Sequence, residues 1–491
     1  MRNRFEPQLK IGCLPIEETE ISLKLKDALT ELFAALLMIY KTPEYKNQIF
    51  NILERHILKD KKATGRKGMS LWEIFVLSQV RLCENIGYAK LHAHANTHLT
   101  LRSLLGVGAK DGGFTRIEFE YQNIYDNVTL LNDSVVKELN AVILSFGHKE
   151  VFKKKEAEAL HLKSDSFVVE TNVHFPTDYN LLWDSVRKSM DTLSKFSKKY
   201  DNIKGWRKLS SWTRELKGLM RELGKASASG GKGKDIRVKN AAKKYLTKAK
   251  SLLSKLRKTI SYLLLNDNKD LSLHIGLEYF MEMMVKHIDL VERRIIKGES
   301  ILHSEKMFSI FETYTEWIKK GKQRPNVELG KKVSITTDQY NLIIDHQVME
   351  NEQDRDIVLK VADRILSKYK VDIWSFDKGY WNKDNKSILS LEVEHVVMPK
   401  LGKKTISQSE QENTRIFKKY KNKHSAVESN INELEHRGLD RCPDRGYEHF
   451  KTYVSLAVCA YNLKKIGKYI LMQEREMKKK KQKNLYFKQV A

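Results

Sequence analysis

VDIWSFDKGYWN (371–382) reads as a short apolar strand that ends in an acid and breaks into a turn. Side chains on one face of a strand are two residues apart, so Asp377 is expected to share a face with Val371 and Ile373. A carboxylate there is costly to bury unless it is paired or binds a cation, although an Asp at a strand end also serves as a cap for the following turn. Upstream, GKKVSITTD (330–338) and LIIDHQVME (342–350) read as two strands joined by a turn near Asp338–Asn341. DRDIVLKVADRILSKY (354–369) then reads as a helix with Ile357, Val361 and Ile365 on one stripe. Downstream follow a strand in EHVVMP (394–399) and a helix in NKHSAVESNINELEHRG (422–438) stopped by Gly438. An apolar helix in YVSLAVCAYNLKKIG (453–467) is expected to stop at Gly467, ahead of a frayed basic tail over 471–491. Strand, strand, helix, strand, strand, helix is the order of a mixed α/β domain with a central sheet.

A second β-rich segment, HLKSDSFVVETNVH (161–174), stands apart from this block. Strand parity puts Asp165 and Phe167 on one face and Ser166 and Glu170 on the other. Between the two β regions the pattern is helical, from a cap at Thr177 or Asp178 to about residue 300. It holds a Gly/Ser/Lys loop (224–234) followed by a strongly basic helix. The loop is no phosphate-binding Walker sequence, because Gly233-Lys234 precedes Asp235 rather than Ser or Thr. The basic helix suits either phosphate contact or a solvated face.

From Leu23 to about Leu105 apolar residues recur at helical spacing, as in Leu25, Leu29, Leu32 and Leu36. A helix over 70–86, a break at Gly87 and a second helix to Gly106 suit a DNA-reading helix-turn-helix or an ordinary bundle. His92, His94 and His98 lack the Glu or Cys spacing of zinc motifs and read as solvated or core histidines.

Composition narrows the classes. The chain has 491 residues with 89 Lys and Arg against 62 Asp and Glu, a formal charge of +27. Seven prolines and 24 glycines leave room for long helices. The charge suits a polyanionic partner, with nucleic acid first and an anionic membrane surface second, unless it reflects AT-rich coding. Cys13, Cys83, Cys442 and Cys459 make neither a zinc pair nor a disulfide framework. With neither a signal-peptide core nor an 18-residue apolar run, a cytoplasmic protein and no membrane partner are expected.

Glu428 borders the stripe Val427, Ile431 and Leu434 of its predicted helix, and His424 lies one turn before it. Three carboxylates converging from two strands and a helix would hold two hard divalent cations of the Mg²⁺ type. Such a pair supports in-line phosphodiester displacement by activating the attacking oxygen and stabilising the leaving one.

At this point the chain resembles a known family, the DDE transposases of bacterial insertion sequences, whose catalytic domain is ribonuclease H-like. The likeness rests on HSAVES (424–429), LEHRGLDRCPDRG (434–446) and FKTYVSLAVCAYNLKKIG (450–467). It extends to VVETNVHFPTDYNLLWDSV (168–186) and EKMFSIFETYTEWIKKGKQRPNVELGKKV (305–333). It runs from about 160 to 467, more weakly over 70–106. The resemblance implies Asp165, Asp377 and Glu428 as catalytic, metal-binding acids with two Mg²⁺ ions, for which Mn²⁺ would substitute. It implies double-stranded DNA, both element ends and target, as partner, a homodimer or higher oligomer on DNA, and a place at the bacterial nucleoid. Glu170 is the rival to Asp165. His424 stands where related transposases carry Arg, and Glu435 where they carry Lys. His424, Lys331, Lys332 and Arg437 are expected at DNA phosphates.

The implied organisation is an α/β fold with large all-α parts. A helical DNA-binding domain (1–150) precedes a ribonuclease H-like mixed-sheet core (151–177 and 301–470), interrupted by a basic helical insertion (178–300) and followed by the tail (471–491). An endonuclease that cleaves without joining, and an inactive DNA-binding derivative, remain alternatives.

Overall fold

The computed structural model describes residues 3–5, 15–23, 27–59, 68–107, 118–200, 203, 205–206, 208–263, 265–319 and 326–490. Cys13 and Leu25 lie outside them. The chain divides into a larger unit, Met1–Asn172 with Gly330–Ala491, and a smaller one, Val173–Leu329.

Among the described residues, the larger unit begins with α1 (Thr30–Lys41), α2 (Pro43–Ile57), α3 (Leu71–Cys83), α4 (Tyr88–Thr97), α5 (Leu99–Leu104), α6 (Tyr121–Val128) and α7 (Asp133–Phe146). α3 starts at a capping box, in which Ser70 and Glu73 satisfy each other's backbone N–H groups, and it is buried along its whole length. That burial suits a central core helix. His98 bonds the Asp27 carboxylate at 2.9 Å, and His94 Nε2 faces Glu84 at 3.3 Å without a hydrogen bond.

The strands are β1 (Leu160–Thr171), β2 (Glu316–Lys319), β3 (Val327–Thr337), β4 (Ile343–Val348), β5 (Val371–Phe376), β6 (His395–Val397) and β7 (Arg441–Cys442). In the larger unit β1 lies between β3, antiparallel to it, and β5, parallel to it. β6 extends the parallel side, β4 pairs with β3, and β7 runs parallel to the end of β1. The result is a mixed sheet with large helical additions, as expected. The β3–β4 turn falls where predicted: the Asp338 carboxylate accepts from the N–H groups of Tyr340 and Leu342, and Asn341 takes a left-handed φ of 63°.

Further helices of this unit are α12 (Val358–Leu366), α13 (Lys383–Leu389), α14 (Ile406–Asn413), α15 (Arg415–Leu434) and α16 (Tyr447–Val490), numbered after those of the smaller unit. One sheet face is sealed by an apolar cluster of Leu160, Leu162, Trp374 and Phe376 with Ile357, Val361 and Ile365 of the predicted α12 stripe. Val371 joins this cluster rather than the Asp377 face, because the β1–β5 register shifts between Leu160 and His161. Each buried apolar side chain contributes about 1.5–3 kcal/mol, so this cluster is the main force fixing the sheet face.

The other large core centres on α16, which packs on α1, α3 and α7. The N-terminal helices and the sheet therefore belong to one unit. Buried Asn462 ties α16 to both: its amide donates to Asn140 and the Ile343 carbonyl and accepts from the Ile343 N–H. Gly467 does not stop this helix, which continues to Val490. A Cβ at Gly467 would lie 1.7 Å from the Glu31 carbonyl oxygen, so the glycine permits α16 to cross α1 at backbone contact. Gly438, with φ 109°, does end the α15 helix as predicted.

The smaller unit packs α8 (Asp178–Lys199), α9 (Leu209–Ala228), α10 (Lys234–Ile260) and α11 (Asn268–Val291) around Leu182, Leu216, Leu223, Tyr245, Leu252 and Met284. The smaller unit also takes in residues 301–319 and 326–329.

Gly467→Ala tests the helix crossing. Alanine in a helix interior is favoured over glycine by about 1 kcal/mol, yet the collision with α1 should lower stability by about 1–3 kcal/mol in chemical denaturation. A stabilised variant would refute the close crossing.

Candidate active site

The parallel register aligns Lys163 with Ser375 and Ser164 with Phe376, so the next step along each strand sets Asp165 beside Asp377. Asp165 is half-buried in the middle of β1, and its carboxylate accepts from the Ser166 N–H at 2.7 Å. Asp377 is exposed just beyond the end of β5, where it caps the turn over 378–380 through the Gly379 N–H at 3.4 Å. The capping role and the site role coexist, since a carboxylate has two oxygens.

The same sheet face is covered by α15, which packs on β1, β5 and β6. His161 meets Tyr420 edge-on, and Ser375 bonds His424 Nδ1 at 3.0 Å. One turn further along α15, exposed Glu428 is near enough to Asp165 to repel its charge. Burial is the main cause that pushes the Asp165 carboxyl up to about 7; the Ser166 N–H opposes it, and repulsion from Asp377, Asp354 and Glu428 adds to it. Asp377 and Glu428 thus lie near enough to Asp165 to repel its charge.

Glu170 is held elsewhere. It lies five residues along β1, about 17 Å at strand rise, and pairs with Arg441 at 2.7 Å. That ion pair and the strand parity remove it from the Asp165 cluster.

Asp354 was not anticipated. It begins a short 3-10 turn (Asp354–Asp356), accepts from Ser166 Oγ at 2.6 Å and from Lys332 Nζ at 3.0 Å, and adds to the repulsion on Asp165. Its position depends on tertiary structure, and no local motif marks it. A Cβ at Gly379 would come within 2.9 Å of its carboxylate, so the glycine after Asp377 makes room for it.

The cations expected at DNA phosphates are committed to protein partners. Lys331 is buried with its ammonium over the Tyr447 ring, and Lys332 is paired with Asp354. Arg437 donates to the Cys83 carbonyl at 2.6 Å and pairs with Glu433. His424 is kept neutral, because burial pushes it down to about 4 against the attraction of Asp377. Its Nε2 is buried without a hydrogen-bond partner.

Oxygen-only donors and mutual repulsion fit a hard divalent cation, which would relieve the charge crowding around Asp165. Among the described residues, however, no three His, Cys, Asp or Glu groups stand close enough to hold one ion as they are. The donor chemistry matches, while the carboxylates are more open than a closed ligand set.

Residues 297–463 match the model of the transposase DDE domain family. The matched span contains Asp377 and Glu428 and begins after Asp165. It supports a DDE-type transposase, with DNA cleavage and joining as the associated chemistry. No curated protein and no solved structure matches the chain. No helix among the described residues is long and apolar enough to cross a membrane.

The charge crowding yields a stability prediction. Asp165→Asn keeps the hydrogen bond from Ser166 and removes the repulsion, so in chelator-treated protein at neutral pH it should stabilise the fold by roughly 1–3 kcal/mol. A loss of stability in urea titration would show that the acids do not crowd one another.

Proposed function

We propose that the chain is a Mg²⁺-dependent DDE transposase that binds the ends of its element, hydrolyses the end phosphodiesters and joins the freed 3′-OH to target DNA. The observation that supports this reading is that the β1–β5 register runs up to Asp165 and Asp377 together, and that Asp165 is repelled by both Asp377 and Glu428. The family match over 297–463 supports it. A ribonuclease H-like reading of the mixed sheet agrees with β1 flanked by antiparallel β3 and parallel β5.

Asp165, Asp377 and Glu428 would hold the cations, and Mn²⁺ would replace Mg²⁺ at such oxygen donors. Divalent cations bound there would supply electrostatic stabilisation of the attacking and leaving oxygens. The chain's own residues provide the rigid support. Trp374 Nε1 donates to Ser164 Oγ at 2.8 Å, which bonds Thr336 Oγ1 at 2.7 Å, locking β5, β1 and β3 in register next to the acids. Ser375 anchors His424, and with it the helix that carries Glu428. Water and a DNA hydroxyl serve as nucleophiles, so no covalent protein–DNA intermediate forms. Work on paired ends requires at least a dimer on DNA, acting at the nucleoid of a bacterial cytoplasm.

The open spacing of the acids favours one second reading, an inactive transposase-derived DNA-binding protein. The two readings separate on duplexes carrying the terminal sequences that flank the coding region. The first expects Mg²⁺-dependent cleavage and joining. Asp377→Ala and Glu428→Ala should each lower the rate by at least about 10³-fold, whereas Glu170→Gln should leave it near wild type. Binding without cleavage by the wild-type chain in Mg²⁺ or Mn²⁺ would favour the second. A readout independent of activity is thermal stability: millimolar Mg²⁺ should raise the Tm of the wild type and not that of Asp377→Ala.

A further inference from the structure

The α9–α10 hairpin concentrates the positive charge, with fifteen Lys and Arg against three Asp and Glu over 209–260. Its distribution is uneven. α9 turns Leu216 and Leu223 into the bundle core. Its two acids, Glu215 and Glu222, are seven residues apart and face α10, where they pair with Lys248 at 2.7 Å and Lys244 at 3.2 Å. Opposite the buried stripe, Arg214, Lys217, Arg221 and Lys225 follow one another at steps of three, four and four and so share one helix face. All four are exposed, and among the described residues no carboxylate pairs with any of them.

Like charges three and four apart on a helix repel each other, and nothing within α9 relieves that repulsion. Gly218 lies among the four cations, in a helix interior where glycine is unfavourable. A Cβ there would meet nothing within 4 Å, so packing does not require the glycine. A missing side chain at that point lets another molecule approach the helix backbone. The row spans about 16 Å at helical rise, long enough to meet several consecutive phosphates.

We propose that this outer face of α9 lies along the sugar-phosphate backbone of duplex DNA, as a sequence-independent contact separate from the acidic site. The face carries no aromatic residue on which single-stranded bases would stack. The apolar side of α9 is used in the bundle core, so the helix has none left to insert into a lipid surface. The inference rests on the proposed DNA reading and adds the surface that would hold the polymer.

The test uses the full chain and a fluorescent random-sequence duplex of about 30 base pairs, with affinity measured across a series of KCl concentrations. Each phosphate contact contributes about 0.9 to the salt slope, so Arg214→Gln/Lys217→Gln/Arg221→Gln/Lys225→Gln should reduce it by about 3–4. Lys244→Gln/Lys248→Gln, which alters cations already paired with acids, should change it by less than about 1. Circular dichroism should show both variants folded. Wild-type binding with an unchanged slope in the quadruple variant, or equal losses in both variants, would overturn the α9 surface and leave the transposase reading standing. A wild-type chain that does not bind duplex DNA at all would overturn both.

Discussion

The parallel pairing of β1 with β5 is the constraint on which the site depends. Side chains alternate strictly along a strand, so a slip of one residue would send Asp165 to the opposite face, into the apolar cluster of Leu162, Trp374 and Phe376. The hydrophobic face therefore sets the register, and the register places the acids. Residues that never touch a substrate decide where Asp165 and Asp377 meet. The hydrogen bonds from Trp374 to Ser164 and from Ser164 to Thr336 secure this alignment across three strands.

Above that frame, the site is a compromise between stability and chemistry. Half-burying Asp165 near three further carboxylates is unfavourable in the free protein, and burial combined with repulsion is what an awaiting cation would exploit. The surroundings hold this unfavourable cluster in place. Asp354 is kept by Lys332 and Ser166, and α15 is anchored through His424 to Ser375. Beneath the sheet's other edge, α16 joins the N-terminal helices to β4 through Asn462, so the site rests on one continuous core.

Much of this was legible in the sequence, and the exceptions have physical causes. Alternation, apolar runs and helical stripes located β1, β3, β4, β5, α12 and α15, because the residues each buries follow the period of its own geometry. Gly438 ended its helix as expected, because it sits at φ 109°. Gly467 misled because the same residue type serves a close helix crossing, a property of the partner helix 430 residues away in the chain. The partners that Lys331, Lys332 and Arg437 have within the chain were not legible, because charge alone does not reveal them. Asp354 was invisible for the related reason that its neighbours, Ser166 and Lys332, come from two other strands. Val371 was placed on the wrong face by a single irregularity of register at Leu160/His161.

The central claim is that Asp165, Asp377 and Glu428 form one cation-binding site. Diffraction from Mn²⁺-soaked crystals, collected at the manganese absorption edge, tests it most directly. The account predicts anomalous density among those three carboxylates, and its loss in Asp377→Ala crystals. Manganese found only elsewhere on the molecule, with the three acids unoccupied at saturating metal, would contradict it.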